Sequence, residues 1–301
     1  MRAPDPNSQK GELILYTGPM NSGKTETLVK HALNLMNHAS QRVAGFSIFE
    51  NTRDGLNQIV GENGDKLNAT SVSMNSPQNI LKHVYDFDKS GFVDVVVLDE
   101  VSFYNHEIIP TINSLRSDNR LVLAAGLDKS FRSEPFGVMP YLKEMVPPHS
   151  LESTTFNSYC KIARGDEQCC NLATYTVRLK RESEFKTSFF DKEGNLVEGY
   201  GFAPYFDPLK LVEKKKDDGP SPTEYTSACE DCFQIPLKDE TVRVYESLIS
   251  GFRAKDIKSS NLDKIIDMLV SEDKIVDMEN GFYEAKPHFF DLRSGAYIPQ
   301  N

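Results

Sequence analysis

Residues 12–25 read ELILYTGPMNSGKT, an apolar run followed by a loop with two glycines. The loop fits the pattern G-x-x-x-x-G-K-[ST], in which backbone N–H groups surround phosphate oxygens and the lysine reaches the β- and γ-phosphates. Its place after a predicted strand and before a predicted helix suits this chemistry, because a helix N-terminus attracts anions. A chance match on a strand–helix turn is the alternative. The stretch predicts a nucleotide-phosphate site made of Gly18, Pro19, Met20, Asn21, Ser22, Gly23, Lys24 and Thr25.

Strand-like and helix-like segments alternate after this loop. The run FVDVVVL at 92–98 is almost entirely apolar, as expected of a strand buried on both faces of a sheet. Such alternation predicts an α/β fold with a P-loop NTPase-like parallel sheet, flanked by helices that form right-handed crossovers. The predicted strands are Glu12–Thr17, Arg42–Phe49, Phe92–Leu98 and Arg120–Ala125, and the predicted helices are Lys24–Asn37 and Gln78–Tyr85.

The third predicted strand ends in two acids, Asp99 and Glu100. In phosphate-loop proteins an Asp at this point holds Mg²⁺, which the loop residue Thr25 also ligates. Glu100 can then orient or deprotonate an attacking hydroxyl group or water molecule. The alternative is that both acids only cap the next helix. No segment resembles a GTPase base-recognition motif, so ATP is the favoured nucleotide.

The composition is that of an ordinary globular chain: of 301 residues, 39% are hydrophobic and 26% are charged. A formal charge of −10 argues against non-specific binding to a nucleic-acid backbone. Residues 1–10, MRAPDPNSQK, lack the apolar segment of a signal peptide, and no stretch reaches the roughly 20 apolar residues of a membrane span. We therefore expect a cytoplasmic protein with a disordered tail over 1–10 and no membrane contact.

The composition changes after Pro147-Pro148. All five cysteines lie beyond this point, and clustered cysteines in a reducing compartment indicate metal binding more than disulfides. Cys229 and Cys232 have the C-x-x-C spacing of half a zinc site. The stretches GYGFAPYFDP and EKKKDDGPSP predict an extended or mobile loop between the two groups of cysteines.

Helical spacing returns from residue 237 onwards. Two apolar series predict two helices, and KIVDMENGFYEAK at 274–286 predicts a hairpin around an Asn-Gly turn. Together they predict a small winged-helix-like unit over 237–301. Its nine Lys and Arg against twelve Asp and Glu favour a packing or oligomerisation module, then a protein-binding module, over DNA binding.

Five segments together resemble the thymidine kinases of the zinc-containing P-loop type, the family of the cytosolic mammalian and many bacterial and viral enzymes. They are GPMNSGK at 18–24, DEVSFY at 99–104, LAAGLDKSFRSEPFG at 123–137, CCNLATYTVR at 169–178 and YTSACEDC at 225–232. The resemblance spans roughly residues 11–236 apart from a long insertion. It implies a P-loop kinase core over 11–158, a zinc-bearing lasso domain that binds the substrate over 159–236, and an added unit over 237–301.

The resemblance implies ATP-dependent phosphoryl transfer to the 5′-hydroxyl of thymidine or a close deoxypyrimidine nucleoside. Glu100 would be the base that removes the hydroxyl proton, and Lys24 and Arg53 would serve the phosphates. Asn51 stands where the family has an Asp two residues before this Arg, which predicts reduced activity or a shifted acceptor. The implied nucleoside contacts, whose phenylalanines would otherwise be assigned to core packing, are Met20, Phe103, Phe131, Phe136 and Tyr225.

Comparison with the family's cysteine segments implies a structural zinc ion held by Cys160, Cys169, Cys229 and Cys232. Asp166 occupies the position of the family's first cysteine. Cys160 can therefore replace that cysteine as a zinc ligand only if residues 161–168 include an insertion. A site that uses Cys170, or buried thiols without metal, are the alternatives. The resemblance further implies that residues 179–224 form an enlarged lasso that reads the base, and that the protein is a homo-tetramer.

Two other functions fit the same residues. One is a non-catalytic nucleotide-binding interaction protein, which would use Asn51, the long loop and the C-terminal unit to recognise a partner. The other is a P-loop kinase that acts on modified pyrimidines in DNA. Turnover on free nucleosides is the property that separates the three hypotheses.

Overall fold

The computed structural model describes residues 11–48, 57–146, 153–209, 221–278 and 281–285. Within these ranges the chain forms a mixed α/β structure whose largest element is a seven-stranded sheet. No helix in these ranges is both long enough and apolar enough to cross a membrane. The tail predicted over 1–10 lies outside the described residues.

Seven strands form the main sheet: β1 (Leu13–Thr17), β2 (Val43–Ile48), β3 (Gln58–Val60), β4 (Lys66–Val72), β5 (Val95–Leu98), β6 (Leu121–Gly126) and β7 (Ser153–Thr155). Their order is β3-β4-β2-β5-β6-β1-β7, and every neighbouring pair is parallel except β3 with β4. The predicted parallel sheet is therefore confirmed. The sequence did not predict β3, β4 or β7, because these strands are short or half polar and lack a clear apolar pattern.

Helices cover both faces of this sheet: α1 (Lys24–Ala39), α2 (Asn79–Asp88), α3 (Ile108–Ser117) and α4 (Met139–Glu144). Helix α1 packs on one face through Leu28, Val29, Ala32 and Leu35, while α2, α3 and α4 pack on the other. Successive strand residues point to opposite faces, so a doubly covered strand must be apolar throughout. Strand β5 meets this condition, because each residue of its VVVL sequence is fully buried.

A second unit follows, built of short strands around the cysteines. Strands β8 (Ser158–Tyr159) and β11 (Leu172–Ala173) pair with each other, as do β9 (Ala163–Arg164) and β10 (Glu167–Gln168). Four longer strands form an antiparallel sheet in the order β13-β14-β12-β15: β12 (Tyr175–Lys180), β13 (Lys186–Phe190), β14 (Leu196–Phe202) and β15 (Thr223–Ala228). These β-strands place the cysteines beside the end of the main sheet.

Strands β13 and β14 form a hairpin where the sequence predicted an extended or mobile loop. That prediction was wrong for residues 186–202. Phe189, Tyr200 and Phe202 pack into the same buried cluster as the cysteines, so the hairpin has an apolar side that stabilises it. Frequent Gly, Pro and charged residues masked this pattern in the sequence. Residues 210–220, which carry the run of lysines, lie outside the described part of the chain.

The C-terminal unit contains α5 (Lys238–Ile249), α6 (Leu262–Ser271) and the antiparallel pair β16 (Ile275–Asp277) and β17 (Tyr283–Ala285). The two helices and the strand pair are those that the sequence predicted. Tyr205, which follows the hairpin, is fully buried among the apolar residues of α5 and α6. The insertion and the C-terminal unit therefore share a core. The division of the chain at residues 158 and 236 stays a prediction.

Candidate active site

The phosphate loop joins β1 to α1 and needs glycine at both of its ends. Gly18 has a φ of 142°, and a Cβ atom there would lie 2.4 Å from the carbonyl oxygen of Phe156. Gly23 has a φ of 78° and immediately precedes α1. Both conformations are unfavourable for residues with a side chain. The loop can therefore bring its backbone close to an anion at the start of the helix.

Lys24 is folded back onto this loop. Its Nζ donates to the carbonyl oxygen of Pro19 at 2.6 Å and to Oγ of Ser22 at 3.3 Å. Burial lowers the pKa of Lys24, although the carboxylates of Glu100 and Asp99 oppose the shift. A partly desolvated ammonium group gains by contact with an anion, so the position suits a phosphate-binding lysine.

Thr25 and Asp99 meet at the carboxyl ends of β1 and β5. Oγ1 of Thr25 donates to Oδ1 of Asp99 at 3.2 Å. Neighbouring ligands of an octahedral Mg²⁺ ion lie about 3.0 Å apart, given Mg–O distances of about 2.1 Å. The two oxygen atoms therefore fit two adjacent ligand positions of such an ion.

Glu100 adopts an unusual backbone conformation. Its φ of 53° lies in the left-handed region, as does the φ of 57° at Asn21 in the phosphate loop. Residues other than glycine seldom occupy this region, and such strain is concentrated at functional sites. Glu100 precedes a short 3-10 turn at 101–103, so the strained conformation sets the direction of its carboxylate.

Two adjoining cavities meet at these residues. The smaller, of about 210 Å³, is lined by phosphate-loop residues together with Asp99. The larger, of about 580 Å³, is lined by all five predicted nucleoside contacts, namely Met20, Phe103, Phe131, Phe136 and Tyr225. The residues that line both cavities are Met20, Asn21, Glu100, Leu127 and Lys192. Glu100 is therefore at the boundary between a phosphate-sized space and a space large enough for a nucleoside.

The walls of the larger cavity include aromatic rings and a buried arginine. Phe103 and Phe136 pack edge to face, with ring centroids 5.1 Å apart. The guanidinium of Arg178 lies 4.1 Å from the centre of the Phe131 ring, and its Nε donates to the Tyr225 hydroxyl at 2.7 Å. Arg178 is almost completely buried, and sequence reasoning did not assign it a role. Its position at the end of the segment CCNLATYTVR was visible, but its burial was not.

Sequence reasoning also missed the contribution of the insertion hairpin to this cavity. The hairpin and its flanks supply the lining residues Arg181, Phe189, Phe190, Asp191, Lys192, Glu193, Val197 and Tyr200. A loop prediction for this segment hid the fact that one of its faces would be directed at the site. The described part of this hairpin therefore forms one wall of the larger cavity.

The cysteine-bearing unit is hydrogen-bonded to the phosphate loop. The backbone N–H of Met20 donates to Oγ1 of Thr176 at 3.0 Å, and Oγ of Ser158 donates to the carbonyl oxygen of Asn21 at 2.7 Å. Both bonds end on loop residues that line the two cavities. Movement of this unit would therefore alter the loop.

Four cysteines converge in this unit. The sulfur atoms of Cys160, Cys169, Cys229 and Cys232 all lie within 4.8 Å of one another, and Cys169 and Cys229 are 3.7 Å apart. Sulfur atoms around a tetrahedral zinc ion lie about 3.8 Å apart, given Zn–S distances of about 2.3 Å. The grouping predicted from the sequence is confirmed, and the four thiols fit a structural zinc ion.

The surroundings of the cluster separate it from the fifth cysteine. Arg164 donates from Nε and Nη2 to the sulfur of Cys232, both at 3.4 Å. Burial raises the pKa of Cys232, and these two hydrogen bonds oppose that shift without reversing it. Burial raises the pKa of Cys160, so a metal must displace its proton. Cys170 is exposed and is not part of the cluster. The alternative with Cys170 as a ligand therefore has no support in this geometry.

Two residues that the sequence assigned to the phosphate site lie outside the described part of the chain. Arg53, proposed for the phosphates, and Asn51, the replacement for the family's Asp, both fall within residues 49–56. Their roles stay predictions.

A parallel sheet with a glycine-bounded phosphate loop after β1 and an acid pair after β5 defines a P-loop nucleotide-binding protein. Comparison with known proteins narrows this class. The model of the thymidine kinase family matches residues 11–188. This chain belongs to the thymidine kinase family, and it is accordingly an enzyme, a kinase that binds a nucleotide and phosphorylates a nucleoside. Membership decides against the non-catalytic alternative.

Two curated relatives carry the name thymidine kinase. The protein of Coprothermobacter proteolyticus is 34% identical over 172 residues, which cover 57% of this chain and 77% of the relative. The protein of Mycoplasma mycoides subsp. mycoides is 26% identical over 234 residues, covering 77% and 94%. A solved structure of the large terminase from a thermophilic bacteriophage matches with a TM-score of 0.32 and 13% identity, over 52% of this chain and 42% of that one. This last similarity carries no argument.

Proposed function

We propose that this enzyme transfers the γ-phosphoryl group of ATP to the 5′-hydroxyl of thymidine or a close deoxypyrimidine nucleoside. The products are ADP and the nucleoside 5′-monophosphate. The proposal rests on the position of Glu100, which lines both the smaller phosphate cavity and the larger cavity with its aromatic residues. A base at that boundary meets the acceptor hydroxyl where the phosphoryl group arrives, and phosphoryl transfer depends mainly on such positioning.

The phosphate side of the proposal rests on the loop and its acid partner. The backbone N–H groups from Gly18 to Thr25 would hold the phosphates, and Lys24 would turn from Pro19 to the β- and γ-phosphates. Thr25 and Asp99 would hold Mg²⁺, which neutralises charge on the transferred group when bound. Arg53 is retained as a further phosphate contact on the resemblance alone.

The acceptor side rests on the larger cavity. Met20, Phe103, Phe131 and Phe136 would enclose the base and sugar, and Tyr225 would contact the base from β15. Glu100 would accept the 5′-hydroxyl proton as the oxygen attacks the γ-phosphorus and the bond to the β-phosphate oxygen breaks. The cysteine cluster would hold a structural zinc ion that fixes β15 relative to the rest of the unit. A cytoplasmic homo-tetramer is part of the same proposal, supported by the family resemblance.

A nucleoside panel with γ-labelled ATP tests the function. Thymidine monophosphate should form, and Glu100→Gln should lower kcat about 1,000-fold, since it removes the base but keeps the shape. Glu107→Gln, an exposed glutamate seven residues away, is the matched control and should leave kcat unchanged. No turnover on any free nucleoside would contradict the proposal. Label that appears only in polymeric DNA would favour a kinase of modified pyrimidines instead.

A further inference from the structure

Lys192 is the cation that lines both cavities within the described residues. It stands at the tip of the hairpin formed by β13 and β14, in an insertion that the resemblance did not cover. The other residues that line both cavities include one acid, Glu100, and no second cation. A positive charge is therefore delivered from outside the phosphate loop to the boundary where the two substrates would meet.

The hairpin tip is a built turn. Asn195 donates to the Asp191 carboxylate from its backbone N–H at 2.7 Å and from Nδ2 at 3.0 Å, and the N–H of Asp191 donates back to the Asn195 carbonyl at 3.0 Å. Gly194 closes the turn with a φ of 84°. These bonds hold the backbone of Lys192 in one place, so its side chain needs to order only its own rotamers.

The strand residues next to the hairpin tip are bonded to the segment that follows Cys160. The N–H of Phe190 donates to the carbonyl of Lys161 at 2.8 Å, and Ile162 and Phe189 form a β-bridge. The Lys192 side chain is exposed and forms no ion pair with any other described residue. Its charge is thus available to a ligand at the cavity boundary.

We propose that Lys192 is a catalytic residue that binds the γ-phosphoryl group during its transfer. This inference rests on the proposed function and deepens it. Charge accumulates on the oxygens of the group in flight, and a cation supplied from a separate segment stabilises that charge. Lys24 lines only the smaller of the two cavities, so it would contact the phosphates of the donor nucleotide. Lys192 lines both cavities, so it would contact the γ-phosphoryl oxygens that face the acceptor.

Steady-state kinetics of three variants test this role. Lys192→Ala should lower kcat about 10- to 100-fold and change the nucleoside KM less than about threefold, because the contact forms in the transition state. Lys192→Arg should recover most of the activity by retaining the charge. Lys186→Ala removes a second exposed lysine of the same hairpin, one that does not line the cavities, and should behave as wild type.

The outcomes separate this inference from the proposed function. An active wild type with an unchanged kcat in Lys192→Ala contradicts the role of Lys192 and leaves the proposed function intact. An equal loss in Lys192→Ala and Lys186→Ala would also contradict it, since the hairpin's general charge would then be responsible. A wild type with no nucleoside turnover contradicts both.

A separate observation concerns Arg132, which follows the cavity residue Phe131. Arg132 is fully buried and forms a two-point ion pair with Glu272, with Nη1–Oε2 and Nη2–Oε1 both at 2.8 Å. Glu272 directly follows α6 and lies outside the residues matched by the family model. The C-terminal unit thus supplies the nearer of two counter-charges for this arginine, since Glu134 lies 3.9 Å away. Lys274 pairs with the same Glu272 carboxylate at 3.1 Å.

The same arginine connects to the nucleoside cavity through the insertion. Nη2 of Arg132 donates to the carbonyl oxygen of Asp207 at 2.6 Å, and the Asp207 carboxylate pairs with Arg178 at 3.2 Å. Arg178 in turn contacts Tyr225 and the ring of Phe131. Arg132, Asp207 and Arg178 are buried, and Glu272 and Tyr225 are partly buried. Loss of the Glu272 charge would leave the buried Arg132 with Glu134 alone, at 3.9 Å and without the two-point contact.

We infer that Glu272 is a positioning residue for the nucleoside cavity, again on the basis of the proposed function. Glu272→Gln should raise the nucleoside KM about 10-fold, with the KM for ATP unchanged and kcat changed less than about threefold. Glu272→Asp should recover part of the affinity by restoring the charge. Asp267→Asn, an exposed acid on α6, is the matched control.

Thermal unfolding is measured in parallel. A purely structural role predicts a lower Tm, with unchanged KM values when the assay temperature is well below that Tm. That pattern would overturn the inference. If Glu272→Gln fails to fold, Glu272→Asp is used instead. Its change in the nucleoside KM is then compared with its change in the KM for ATP. A wild type that is inactive on nucleosides contradicts the proposed function and this role together.

Discussion

The two halves of the candidate site are built in different ways. The phosphate half is made mostly of consecutive residues, from Gly18 to Thr25, and its geometry depends on two glycines and the start of one helix. The acceptor half is assembled from widely separated segments, among them those that carry Met20, Phe103, Phe131, Lys192 and Tyr225. The first half is a local structure, and the second exists only in the folded chain.

This difference implies that the two halves differ in their tolerance of change. The hairpin lines the acceptor half, and the residues that follow it pack against the C-terminal unit, while the phosphate loop has the full motif. A cavity assembled from several segments can gain a wall without disturbing the rest. A loop whose backbone N–H groups must converge on one anion has no such freedom.

The largest expected effect comes from breaking the phosphate half alone. Lys24→Ala should lower kcat about 100- to 1,000-fold, because it removes the partly buried cation that we propose turns from Pro19 to the β- and γ-phosphates. Equilibrium dialysis with labelled thymidine should give an unchanged Kd, since Lys24 does not line the larger cavity. Lys30→Ala, an exposed lysine on the same helix, is the control. A thymidine Kd that rises in parallel with the loss of kcat would show that the halves are not separable.

Loss of the cysteine cluster should affect the acceptor half next most strongly. Cys229→Ser should reduce bound zinc from about one to less than half an equivalent per chain, lower the Tm by several degrees and weaken thymidine binding about 10-fold. Nucleotide binding should persist, because the phosphate loop belongs to the main sheet. Cys170→Ser should retain zinc and Tm, as the exposed thiol lies outside the cluster. Purified wild type with less than half an equivalent of zinc would refute the metal site.

A smaller effect is expected from trimming one wall of the acceptor cavity. Phe131→Leu should raise the thymidine KM about 10-fold and leave the KM for ATP unchanged, since it removes an aromatic face that packs against Arg178. Phe87→Leu, at an exposed position on α2, should change neither constant. Equal rises in both KM values after Phe131→Leu would mean that the two cavities respond as one.

The smallest expected effect is on the pH dependence of the Tm, through the ion pair between Arg132 and Glu272. Burial would raise the pKa of Glu272, but the charges and hydrogen bonds of Arg132 and, to a smaller extent, Lys274 outweigh it, and the pKa lies below its ordinary value of 4.5. The stabilisation is therefore complete above about pH 4.5 and is lost as the pH falls through the lowered pKa. The Tm difference between wild type and Glu272→Gln should shrink between pH 6 and pH 3. A difference that stays constant or grows in acid would contradict the pairing.

Prediction from the sequence succeeded where the structure depends on neighbouring residues. The loop, the acids after β5 and the strands around them follow from patterns a few residues long. The cysteine grouping needed the family resemblance, because Cys160 and Cys229 are far apart in sequence. Lys192 and Glu272 could not be found, since one lies in a segment that looked like a loop and the other is an ordinary acid until its buried partner is known.

The amino-acid sequence by itself determined the phosphate half. Gly18 and Gly23 permit backbone conformations that other residues disfavour, and Lys24 begins the helix that follows, so the conformation of the loop follows from this short stretch. Only the tertiary structure decided the acceptor half. Its walls, its buried arginines and the approach of Lys192 depend on the packing of distant strands, and burial and charge pairing over such separations are properties of the folded chain.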